Sequence, residues 1–143
     1  MKAPIRDTVA TLRPQGISDI SIYGAQFDDV IPLWYGESDL PTPEIARRAL
    51  IESLNKGETF YQAESGVNEL RDAIAAYDSG LHGRDIHPDR ITVTASGMTA
   101  LHVALQTICD VGDNVVLVTP VWPNADGAVT IMGAEPRRVA LAY

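Results

Sequence analysis

An α/β fold, with a mainly parallel sheet and flanking helices, is what this sequence predicts, and two observations carry the prediction. Short β-branched or apolar runs alternate with helical periodicity in the second half: Ile91 to Thr94, then Leu101, Ala104, Leu105 and Ile108, then Asn114 to Val118. The run from Asn114 is also apolar in nearly every position, the pattern of a parallel strand covered on both faces. The composition agrees, since 143 residues with 45% hydrophobic and 21% charged side chains suit one domain with a sizeable core.

Residues 1–30, punctuated by Pro4, Pro14 and Gly16, read as an extended arm leading into a short helix. From Ile31 an extended apolar entry leads to a loop held by Gly36, Pro41 and Pro43. Thr42 is placed to cap a helix whose first position suits Pro43; Ala46, Ala49, Leu50 and Leu54 form its apolar face, and Lys56-Gly57 ends it. Glu58 to Gly66 is a polar loop carrying Phe60 and Tyr61, and such loops hold a disproportionate share of functional residues, although an aromatic can simply anchor its loop. Val67, Leu70, Ile74 and Tyr77 then mark a second helix, closed by Ser79-Gly80.

The most informative stretch begins at Ile91. A short strand to Thr94 is broken by Ala95-Ser96-Gly97, and a helix follows until Asp110-Val-Gly-Asp113 stops it. A strand that turns directly into a helix through Ser-Gly presents unpaired N–H groups at the positive end of the helix dipole, which suits an anion. The same residues also serve as a plain helix cap, so the pattern alone leaves both readings open. Trp122 follows the next strand, on the sheet edge where open α/β folds bind ligands. Its ring is thus placed to lie against a planar group whose phosphate sits on Ser96-Gly97. Pro123 opens another helix with Ala125, Ala128, Val129 and Met132 on one face and Gly133 at its end. Strands over 91–94, 114–118 and 137–141 are expected to run parallel through right-handed crossovers.

Several classes are excluded or disfavoured. The net charge of -8 argues against nucleic acid or an anionic membrane as the main partner. One cysteine, Cys109, rules out an internal disulfide, suits a reducing cytoplasm and reads as a packed residue. No apolar run reaches the roughly 20 residues that span a bilayer, and Met-Lys-Ala-Pro lacks the apolar core of a signal peptide. No His, Cys, Asp and Glu cluster has metal-ligand spacing. His82 and His87 read as solvated, His102 as packed, and Asp28, Asp29 and Asp126 as solvated carboxylates. A dinucleotide site is disfavoured because its three-glycine fingerprint is absent and Ser96-Gly97-Met98 offers only one glycine.

Four blocks, in this order and spacing, resemble the N-terminal part of class I/II aminotransferases, the fold type I enzymes that use pyridoxal 5'-phosphate. They are Tyr35-Gly-Glu-Ser-Asp-Leu-Pro-Thr-Pro43; Tyr61-Gln-Ala-Glu-Ser-Gly-Val-Asn-Glu-Leu-Arg71; Ile91 to Leu101; and Asp110-Val-Gly-Asp-Asn-Val through Pro120-Val-Trp-Pro123. The resemblance implies that residues 1–43 form an N-terminal arm and small-domain segment and that 44–143 form an incomplete large, cofactor-binding domain. It further implies that Ser96, Gly97 and Met98 hold the cofactor phosphate, that Trp122 stacks on the pyridine ring and that Gly36 lies by the substrate carboxylate. Tyr61 resembles the tyrosine that reaches the phosphate of a neighbouring subunit, so a homodimer is expected. Met98 stands where a polar residue is common, and only its backbone N–H remains available there.

The family's cofactor-anchoring lysine, its aspartate to the pyridine nitrogen and its carboxylate-binding arginine find no counterpart here. The only lysines are Lys2, in the arm, and Lys56, at a helix end, and both read as solvated surface residues. The expectation is a segment or truncated product of an aminotransferase acting on an amino acid and a 2-keto acid, inactive by itself and without an assigned catalytic residue. Two other readings stand beside it: a non-catalytic phosphate-binding or dimerisation module, and a C–S lyase or decarboxylase of the same fold.

Overall fold

The computed structural model describes residues 4–142, so Lys2 lies outside the described residues. They divide into two compact units, one spanning Gly16–Thr92 and the other joining the residues up to Gln15 to those from Val93 onward.

The Gly16–Thr92 unit is helical. Helix α2 (Gly16–Gly24) ends on a buried glycine for a steric reason: a Cβ on Gly24 would come within 2.4 Å of the Trp34 ring. Helix α3 spans Glu44–Asn55, and its start corrects the expected cap. Pro43, not Thr42, is the N-cap residue, and its carbonyl accepts the first helical bonds from Ala46 and Arg47 at 3.0 and 3.1 Å. Proline tolerates this position because a residue just outside the first turn needs no N–H partner. The expected apolar face of α3 is present but open, since Leu50 and Leu54 are exposed and no residue of the helix is buried.

Helix α4 runs Asn68–His82, three residues past the expected Ser79 and two past Gly80, so His82 belongs to its last turn. Ser79 does not break the helix because its hydroxyl donates back to the Ala75 carbonyl at 2.7 Å and accepts the Ile86 N–H at 2.9 Å. The helix ends instead on Gly83, whose φ of 61° is the left-handed conformation that glycine takes without steric cost. Arg71, projecting from α4, then fastens the following segment. Its guanidinium donates to the Ile91 carbonyl at 3.1 Å and to the Pro88 carbonyl at 2.8 Å, around a short 3-10 turn over Pro88–Arg90.

The other unit holds the sheet. Strands β1 (Asn114–Thr119) and β2 (Glu135–Ala140) pair in parallel, with Asn114 opposite Glu135 and Thr119 opposite Ala140. Helix α6 (Pro123–Met132) joins them, α5 (Gly97–Ile108) precedes β1, and the short α1 (Asp7–Ala10) packs on α6. The expected strand over 91–94 does not form: among the described residues the sheet has only β1 and β2. A strand requires a ladder partner, and none lies beside 91–94 among the described residues; the Ile91 carbonyl is taken instead by Arg71 at 3.1 Å.

Strand β2 also starts two residues before the expected Arg137 and includes Pro136. The ladder explains the tolerance: Glu135 donates to Asp113 and Leu141 to Thr119, so the odd-numbered residues point their N–H groups at β1. Pro136 therefore sits in the alternate phase, where its missing donor would have faced the outer edge.

The core of this unit is Leu105 of α5 with Ala128, Val129 and Ala134, flanked by Met98, Leu101, Cys109, Val115, Leu117 and Met132. Cys109 is thus a packed residue, as its sequence setting implies. The buried line of α5 is Met98, Leu101, Leu105 and Cys109; Ala104 and Ile108, expected on that face, are exposed. Strand β1 was expected to be covered on both faces, yet it alternates, with Val116 60% and Val118 54% exposed. Helices cover only one side of the two-stranded sheet among the described residues.

Candidate functional site

The turn that enters α5 is the best-defined polar feature of its unit. Ser96 is the N-cap: it has extended dihedrals, and its hydroxyl accepts the Thr99 N–H at 3.1 Å. Its carbonyl accepts from Ala100 at 3.0 Å, which starts the helix. The N–H groups of Gly97 and Met98 have no acceptor among the described residues, as expected of the first turn of a helix. Both sit at the positive end of the helix dipole. Apart from its chain neighbours and its own helix, nothing among the described residues stands within 4 Å of the position that a Cβ on Gly97 would take, which leaves this backbone open on that side.

One polar neighbour was missed in the sequence. The Thr99 hydroxyl lies 3.0 Å from the Ser96 hydroxyl, so the turn carries two hydroxyls rather than one. The Ser-x-x-Thr spacing of a capping arrangement was the available signal. Met98 contributes its backbone to the turn while its side chain packs against the core cluster.

Trp122 belongs to the same unit. It is the N-cap residue of α6, it follows the end of β1, and at 53% exposure its ring is not a core side chain. Asp126, in the first turn of α6, is not the freely solvated carboxylate expected; it is ion-paired with Arg138 of β2 and so ties helix to strand. His102 is half-buried, with Nδ1 2.9 Å from the Met98 carbonyl, one helical turn back.

Gly36 and Tyr61 lie in the Gly16–Thr92 unit. Gly36 is exposed with open space where a Cβ would stand, and Tyr61 is fully exposed on its loop. Tyr35, beside Gly36, is held by its hydroxyl 2.8 Å from that of Ser21. Lys56 is the exposed C-cap residue of α3. His87 caps the short 3-10 turn on the surface, its Nδ1 accepting the Asp89 N–H at 3.3 Å. No group of three or more metal-ligating side chains occurs, and no helix is long and apolar enough to cross a membrane, among the described residues.

This architecture matches that of known enzymes. An aminotransferase from Mycobacterium tuberculosis superposes with a TM-score of 0.89 and 25% identity, over 99% of this chain and 37% of its own. An aspartate aminotransferase from Thermotoga maritima superposes with a TM-score of 0.87 and 28% identity, over 96% of this chain and 38% of its own. The fold is therefore part of that of the fold type I aminotransferases.

The sequence agrees. The model of the family "Aminotransferase class I and II" matches residues 28–142, and the chain belongs to that family of enzymes. In sequence, an aspartate aminotransferase of Thermotoga maritima is 40% identical over 106 residues, which are 74% of this chain and 28% of that protein. One from Pyrococcus horikoshii is 27% identical over 137 residues, or 96% of this chain and 35% of that protein. The chain thus spans about a third of the length of these relatives.

Proposed function

We propose that this chain supplies part of the cofactor site of a pyridoxal 5'-phosphate-dependent aminotransferase whose substrates are an amino acid and a 2-keto acid. The observation that carries the reading is the open turn at Ser96-Gly97-Met98. Two backbone N–H groups there lack an acceptor among the described residues, and apart from its own helix and chain neighbours nothing crowds the Cβ position of Gly97. A phosphate carries nearly two charges, and fixed donors at a helix end receive it without ordering long side chains. The Ser96 hydroxyl adds a further donor, and Thr99 lies close enough to fix its direction.

Trp122 offers a flat, half-exposed face for the pyridine ring. The connection supports its nearness to the turn. Helix α5, with 12 residues, rises about 18 Å, and β1, with 6 residues, extends about 20 Å. The tight Asp110–Asp113 turn, closed by Asp113 N–H to the Asp110 carbonyl at 3.2 Å, reverses the chain between them. The amino end of α5 thereby returns toward the level at which β1 ends.

Gly36 is assigned to the substrate carboxylate, and Tyr61 to the phosphate of a neighbouring subunit in a homodimer. The division into an arm and small-domain segment over 1–43 and a cofactor-binding part from residue 44 belongs to the same reading, as does a cytoplasmic setting. Bound pyridoxal phosphate supplies the electron-withdrawing ring on which amino-group transfer depends. This chain's residues would bind it, orient its ring and screen its phosphate from water. Moving the substrate proton requires a base, and among the described residues the one lysine, Lys56, is an exposed helix cap.

Pyridoxamine 5'-phosphate is the suitable probe, since it lacks the aldehyde that reacts with any surface lysine. Calorimetric titration is expected to give at least about tenfold tighter binding than for pyridoxamine, a difference of about 1.4 kcal/mol assigned to the phosphate. Equal affinities for the two would overturn the phosphate turn. A coupled assay of the same chain with amino acid and 2-keto acid is expected to give no turnover, and turnover would refute its inactivity.

A further inference from the structure

We draw no further inference here: the strongest candidate, the apolar cavity of about 360 Å³ lined by Ile20, Tyr23, Phe27, Val30 and Trp34 beside Gly24, carries nothing because nothing in the structure shows what occupies or covers it.

Discussion

Ser96 has two tasks that a change of charge can separate. Its oxygen caps α5 by accepting the Thr99 N–H, and in the proposed site its hydroxyl donates to a phosphate. Aspartate caps a helix about as well as serine, so Ser96→Asp is expected to melt within about 0.5 kcal/mol of the parent. Its carboxylate would face the phosphate dianion, however, and pyridoxamine 5'-phosphate should bind at least about tenfold more weakly. Ser96→Ala should do the reverse, costing about 1 kcal/mol of stability while leaving the Gly97 and Met98 donors in place. Undiminished binding by the aspartate variant would put the phosphate elsewhere. Trp122 is open to a similar test. Because its ring is half-exposed, Trp122→Ala should cost little stability, yet lose about tenfold in affinity through the missing ring partner. A folded Trp122→Ala chain with full affinity would remove that residue from the site.

At the scale of elements, local chemistry was legible and tertiary partners were not. The end of α3 at Lys56-Gly57, the opening of α6 at Pro123 and its stop at Gly133 follow from residues within a turn of each boundary. The helix cap at Ser96 was legible for the same reason. What misled was context. Ser79-Gly80 reads as a stop, but a serine that bonds back to Ala75 stays helical. Ile91 to Thr94 reads as a strand, but a strand exists only with a partner, and residue 71 lies too far away in sequence for its hold on Ile91 to be foreseen. That hold can be measured. Arg71 has a largely buried side chain whose bonds to Pro88 and Ile91 satisfy carbonyls that no ladder reaches. Arg71→Met keeps the unbranched stem and removes the guanidinium donors, and urea unfolding should show a loss of about 2 kcal/mol, the scale of charged hydrogen bonds. An unchanged unfolding midpoint would mean that water serves these carbonyls equally well.

For the molecule as a whole, the surface is the unusual feature. Val116 and Val118 stand out from one face of β1, Val139 is exposed on β2, and Leu50, Ile51 and Leu54 line an open face of α3. Soluble monomers rarely expose contiguous apolar patches beyond a few hundred Å², and each Å² withdrawn from water contributes about 25 cal/mol. Apolar strand and helix residues of this kind were legible in the sequence, and a segment of a larger enzyme is expected to leave such faces open, as they are among the described residues. The expected consequence is association. In sedimentation velocity the chain is expected to show a weight-average mass that climbs with concentration, the sheet face being one of the contacts. Replacing Val116 and Val118 together by threonine keeps the β-branched shape that the strand favours and puts a hydroxyl in place of one of each valine's two methyls. The double variant should therefore melt near the parent temperature but dissociate at several-fold higher concentration. If the parent chain sediments as a single monomer at all concentrations and melts cooperatively, the exposed faces are not adhesive and this account of the surface fails. If instead the parent associates and the threonine pair does not weaken it, the contact lies on α3 or elsewhere, and the sheet face is cleared.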